Sequence, residues 1–171
     1  MPSMLPGTTR NRGQTPLTAA AVEWHEFVAA GGSIRCMEQC VFCSIVEGSL
    51  PSVRVYEDDD TIAIMDINPA TRGHVLVIPR RHADDVHDLD PHDLICCASV
   101  AKELAARARR GLGADGVTIM QSNGAAAWQT VIHYHVHVIP RYDGDPLVLP
   151  WQPRPADSSE LADISKAYLP D

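Results

Sequence analysis

Three histidines alternate with apolar residues in the run Val131-Ile-His133-Tyr-His135-Val-His137-Val-Ile139. In an extended strand, residues i, i+2 and i+4 share a face. The spacing therefore sets His133, His135 and His137 on one side, about 6–7 Å apart from Cα to Cα. It turns Ile132, Tyr134, Val136 and Val138 to the other side, toward the core. Two chemistries use such a row. Three imidazoles can hold a metal ion with one position open to water. Alternatively, one imidazole is a nucleophile and its neighbours bind an anion or move protons. Spacing alone does not separate them. A second constellation, Cys40-Val-Phe-Cys43, supplies half of a zinc tetrahedron or a redox dithiol, and no second CxxC completes it.

The elements that must position these residues can be read from pattern. Two β-type runs, residues 54–57 and 61–65, flank the acidic turn Asp58-Asp-Asp60 and predict a hairpin. Residues 73–79 predict a third strand ended by Pro79. Asp90 and Pro91 open a helix as N-cap and first helical residue. Its apolar stripe is Leu94, Cys97, Ala98, Ala101, Leu104, Ala105 and Ala108, and Gly111 and Gly113 end it. Residues 117–120 predict a fourth strand and residues 131–139 a fifth, closed by Pro140. A proline-rich arm follows, then a short amphipathic helix near residues 158–169. The order β–β–β–α–β–β predicts an α+β fold: an antiparallel sheet of about five strands with its main helix on one face.

The first 36 residues differ in composition. They hold one alanine-rich helical stretch, residues 17–30, and read as an N-terminal extension, with Met37 as a possible functional start. Residues 37–142 then form the chemistry-bearing domain and residues 143–171 a C-terminal arm. The net charge of −8 argues against a nucleic-acid polymer or an anionic membrane as partner, but not against a small anion in a locally positive pocket. No apolar run reaches the roughly 18 residues of a membrane span, and residues 17–22 are too short for a secretory leader. Five cysteines, with Cys96 and Cys97 adjacent inside an apolar helical pattern and read as core residues, point to a reducing, cytoplasmic setting. His25, His87 and His92 read as surface residues.

Taken together, four motifs in order resemble the histidine triad (HIT) superfamily. They are Cys40-Val-Phe-Cys43-Ser-Ile-Val-Glu-Gly48, Met65-Asp66-Ile67-Asn68-Pro69, Gly73-His-Val-Leu-Val-Ile-Pro79-Arg-Arg-His82 and the His133–Ile139 row. The first is similar to the opening of the bacterial Hint-like branch. The resemblance implies a nucleotide-binding homodimer that hydrolyses or transfers nucleoside monophosphates through a covalent nucleotidyl-histidine. It assigns His135 as nucleophile, His137 and His74 as α-phosphate contacts, and Asp66, beside Ile67, as the acid for the ribose hydroxyls. Asn123 and Gln129 match phosphate-contacting residues of the loop before the row, and Thr130 matches a small hydroxyl residue serving the leaving group. It also implies a structural zinc on Cys40, Cys43, His82 and His133. One departure is Trp128, which stands where glycine is common in the family.

This reading makes the chain a hydrolase or transferase of adenosine 5′-phosphoramidates or related AMP conjugates. Its rivals are a dinucleoside polyphosphate hydrolase using the same His135, a purine-nucleotide-binding regulatory module with incidental turnover, and a hydrolase with catalytic metal on all three histidines of the row.

Overall fold

The computed structural model describes residues 40–170. The extension with its expected helix at 17–30, together with His25, Cys36 and Met37, lies outside the described residues. Helix α1 (Val41–Val46) is followed by strands β1 (Arg54–Glu57), β2 (Thr61–Met65) and β3 (Val75–Pro79). Helix α2 (Pro91–Arg107) and a π-helical turn (Ala108–Leu112) lead to β4 (Gly116–Met120), and then to β5 (Val136–Arg141). Helix α3 (Ser158–Ser165) closes the arm. All neighbouring strands are antiparallel, in the order β1-β2-β3-β5-β4, as the α+β expectation requires.

The period-two alternation of the strands sorts the core into two layers. Ala63, Val75, Val77, Val136 and Val138 face α2, packing with Cys97, Val100, Ala101 and Leu104. Ile62, Ile64, Leu76 and Ile78 face the opposite way, onto Phe42, Cys43 and Ile45 of α1. Fully burying side chains such as Ile62 and Ile78 stabilises the fold by about 1.5–3 kcal/mol each. His137 pairs in register with Leu76, so its side chain belongs to the α1 face.

Helix α2 starts as its sequence dictates. The Asp90 carboxylate accepts the His92 backbone N–H at 2.8 Å, and Pro91 occupies a position whose missing N–H costs nothing. Gly113, at φ 68°, supplies the left-handed residue that ends the π turn. The buried stripe differs from the expected one: Leu94 and Ala98 are exposed, and Asp93 and Val100 are buried. The buried Asp93 carboxylate is satisfied by Arg81, which donates two hydrogen bonds of 3.0 Å. Cys97 is the core residue expected, its thiol pushed up to about 12 by burial, but Cys96 is only half-buried.

The fifth strand begins five residues later than the pattern predicts and runs through Pro140 to Arg141. Residues 131–135 leave the ladder because their backbone groups bond elsewhere. His133 N–H donates to the Val131 carbonyl at 3.0 Å, and Tyr134 N–H donates to the Ala83 carbonyl at 2.7 Å. Ile132 is consequently exposed rather than in the core, whereas Tyr134 is buried as expected. Pro140 is tolerated because β3 has no partner beyond Val138. Its carbonyl on that side accepts the Thr71 hydroxyl, so the N–H that proline lacks leaves no ladder bond unmade.

Candidate active site and metal cluster

The alternation of the histidine row survives the loss of strand geometry. Phe42 of α1 meets both His133 and His135 edge-on, with ring centroids 5.9 and 5.1 Å away, so both imidazoles lie on the α1 face. His135 and His137 follow at 4.9 Å, and His137 and His74 at 5.1 Å.

Hydrogen bonds fix the tautomers of this group. His135 Nδ1 is 2.7 Å from the His133 carbonyl, which can only accept, so Nδ1 carries the proton and Nε2 keeps its lone pair. The Ala70 backbone N–H donates to His74 Nδ1 at 3.1 Å. His74 Nε2 must then donate to His137 Nδ1, 2.9 Å away, and His137 is left with a proton on Nε2. A backbone amide thus orients two imidazoles in series and ends in an N–H donor beside a nucleophilic nitrogen. Burial holds His135 and His74 below the ordinary histidine range and lowers His137 to about 4. All three are therefore neutral near pH 7.

Asp66 joins this cluster, its carboxylate 3.4 Å from His74 Nδ1 and held by the Asn68 N–H at 2.7 Å. Ile67 beside it is exposed. In the loop before the row, Gln129 is buried and fully engaged. Its carbonyl accepts the Gly124 N–H, and its amide donates to the carbonyls of Asp84 and Val131. Asn123 accepts the Val86 N–H at 2.9 Å and bonds twice with Gln121. Both side chains therefore hold the loop, and Thr130 is exposed. Trp128 adopts φ 69°, the left-handed conformation usual for glycine, with its ring exposed.

Cys40, Cys43, His82 and His133 converge into one cluster, with all four donor atoms within 4.8 Å of one another. His133 Nδ1 lies 3.4 Å from Cys40 Sγ, 3.6 Å from Cys43 Sγ and 3.2 Å from His82 Nδ1, and Cys43 Sγ lies 3.3 Å from His82 Nδ1. A zinc tetrahedron with arms of about 2.3 Å to sulfur and 2.0–2.1 Å to nitrogen has edges of about 3.3–3.8 Å. The outer nitrogens fit the same purpose. His82 Nε2 donates to Asp84 at 2.8 Å and His133 Nε2 to the Pro79 carbonyl at 3.1 Å, which leaves both Nδ1 lone pairs aimed at the centre. Burial lowers His133 to about 4, keeping it neutral as a ligand must be. The residues fit a metal.

Sequence reasoning missed Phe42, Asp84 and the carbonyls and amide that set the tautomers. Asp84, two residues after His82, carried a readable signal; backbone atoms such as Pro79 O and Ala70 N–H carry none.

Residues 47–144 match the HIT domain family. An uncharacterized HIT-like protein of Mycobacterium tuberculosis is 45% identical over 108 residues, 63% of this chain and 75% of that protein. An adenylylsulfatase of Arabidopsis thaliana is 36% identical over 106 residues, 62% of this chain and 54% of that protein. The crystal structure of a zinc-bound histidine triad family protein from Mycobacterium smegmatis is 43% identical, with a TM-score of 0.63 over 77% of this chain and 99% of that one.

Proposed function

The chain belongs to the HIT domain family, and from that premise we propose that it hydrolyses AMP conjugates of the phosphoramidate type through a covalent nucleotidyl-histidine. The observation that carries this is the pairing of His135, with Nε2 unprotonated, and His137, with Nε2–H fixed by the Ala70–His74 chain. His135 Nε2 attacks the α-phosphorus. The bond from phosphorus to the leaving group breaks, and the leaving group departs with a proton from the Thr130 hydroxyl or water. Water then cleaves the phosphorus–nitrogen bond, releasing AMP and regenerating the imidazole, and the proton it gives up restores the group that protonated the leaving group. The His137 donor meets charge developing on the phosphoryl oxygens. Asp66, anchored by Asn68 N–H, has carboxylate capacity left for ribose hydroxyls, with Ile67 beside it. The similarity to an adenylylsulfatase supports an AMP conjugate as substrate.

Cys40, Cys43, His82 and His133 would hold a structural zinc ion. It ties α1 to the end of β3 and the start of the row, and it reserves His133 for structure. The four-ligand set takes His133 from the row, so a catalytic metal held by all three histidines would require dismantling this cluster. We assign the active form as a homodimer in a reducing cytoplasm, with the exposed Leu94 and Ile95 of α2 and Ile119 of edge strand β4 at the interface. Sedimentation showing a monomer at micromolar concentration would contradict that assignment.

The decisive experiment is rapid-quench mass spectrometry with an AMP conjugate. An adduct mapping to His135 is expected. His135→Ala should lose nearly all turnover yet keep nucleotide affinity, and His137→Ala should slow turnover by about 10²–10³-fold, as loss of one stabilising donor does. Near-normal turnover of His135→Ala refutes the mechanism.

A further inference from the structure

A second group of metal-donor side chains lies outside the site described above. Asp60 ends the acidic turn of the β1–β2 hairpin, and His92 and Cys96 stand one helical turn apart on α2. Their donor atoms converge. Cys96 Sγ is 3.6 Å from His92 Nε2 and 3.8 Å from Asp60 Oδ2, and His92 Nε2 is 3.3 Å from Asp60 Oδ2. A tetrahedral zinc face made of one sulfur, one nitrogen and one oxygen has edges of about 3.3–3.7 Å. Two observed edges, 3.6 and 3.3 Å, fall in that range, and the longest, 3.8 Å between sulfur and oxygen, lies just outside it.

We propose that Asp60, His92 and Cys96 form a peripheral site for a divalent transition-metal ion of the zinc class. A thiolate and an imidazole select such an ion over magnesium or calcium, which prefer oxygen ligands. The field favours a cation, because the carboxylates of Asp58 and Asp93 also act on the Cys96 sulfur. The nearby arginines are engaged elsewhere: Arg81 is held on Asp93 by two hydrogen bonds of 3.0 Å, and the Arg80 guanidinium donates to the Asp58 carbonyl and to Glu57. Binding converts the Cys96 thiol to a thiolate and releases one proton; thiolate and carboxylate together then neutralise the ion, and water fills the fourth position. His92 and Asp60 are about half-exposed, so ligand exchange is open to solvent. The site differs in kind from the buried Cys40 cluster: it is a reversible clamp between the hairpin turn and the first turns of α2.

The test uses the full chain and Zn²⁺ alone. After equilibrium dialysis, metal content is compared among wild type, Cys96→Ser, His92→Ala and Asp60→Asn, all at partly or fully exposed positions outside the catalytic group. Wild type should hold one equivalent more than Cys96→Ser and His92→Ala, whatever the occupancy of the Cys40 cluster. Maleimide labelling of Cys96, mapped by peptide mass spectrometry, should be slowed several-fold by Zn²⁺ in wild type but not in His92→Ala. Equal metal content in wild type, Cys96→Ser and His92→Ala, or Cys96 labelling indifferent to Zn²⁺, would overturn the proposal. Failure here leaves the His135 adduct experiment untouched, since neither readout involves turnover.

Discussion

Acidification should destabilise this fold through His137 before its carboxylates titrate. His137 ordinarily titrates near 6.5, and burial lowers it to about 4 in the folded chain. Between those two values the unfolded chain binds a proton that the folded chain refuses. The stability this represents is present in full above about pH 6.5 and is lost as pH falls toward 4. For one group with these two values, the loss relative to pH 8 is about 1.4 kcal/mol at pH 5.5 and about 2.5 kcal/mol at pH 4.5. Carboxylates held below their usual range, such as Asp58 and Asp145, act in the same direction only at lower pH, and they are common to wild type and variant. The measurement is urea unfolding at pH 8, 5.5 and 4.5 for wild type and His137→Gln. The wild type should lose about 2 kcal/mol more than the variant between the outer pH values. Parallel pH dependences would refute the claim that His137 is held neutral by its surroundings, and with it the assignment of a neutral Nε2–H donor beside His135.

Three further outcomes are expected. Gly73→Ala forces a side chain into φ +88° and against Leu112, so it should cost about 1–2 kcal/mol of backbone strain plus repacking, read in the same unfolding assay. It should also lower turnover by moving the adjacent His74. Cys43→Ser should lower zinc content and the thermal midpoint together, by about 2–4 °C for each kcal/mol lost; a full loss of zinc with an unchanged midpoint would show that the cluster carries no folding energy. Asp93→Asn removes the charge from a buried carboxylate bonded twice by the largely exposed Arg81 and should destabilise by about 1–2 kcal/mol in a chemical unfolding experiment.

Motif spacing made the site more legible than local periodicity made the strand carrying it. The alternation of His133, His135 and His137 placed all three imidazoles on one side, and the CxxC with His82 and His133 named a donor set that the fold assembles. Strand periodicity also extended β5 back to residue 131, which was wrong. A period of two records which way side chains point; it does not record whether the backbone has a partner, and here Ala83 takes the bond a neighbouring strand would have taken. The same blindness misplaced Ile132, Leu94 and Ala98. Leu94 is apolar and Asp93 is not, but Arg81 makes the carboxylate the better residue to bury. Tautomers were beyond reach from sequence, because carbonyls and amides common to every residue set them.

Helix α1 has consequences for the order in which the molecule assembles. At six residues it is too short to persist alone, since helix nucleation costs more than so few bonds return. Its anchors come from far along the chain: Cys40 meets His133 across 93 positions and Cys43 meets His82 across 39. Closing loops of that length is less costly once β3 has paired with β5, which brings the two histidines together. On loop-closure grounds the donor cluster is expected to complete after the sheet, an order that pulse-labelled hydrogen exchange would read. Phe42, whose ring meets His133 and His135, would then reach its place together with the cluster, after the sheet that carries His137.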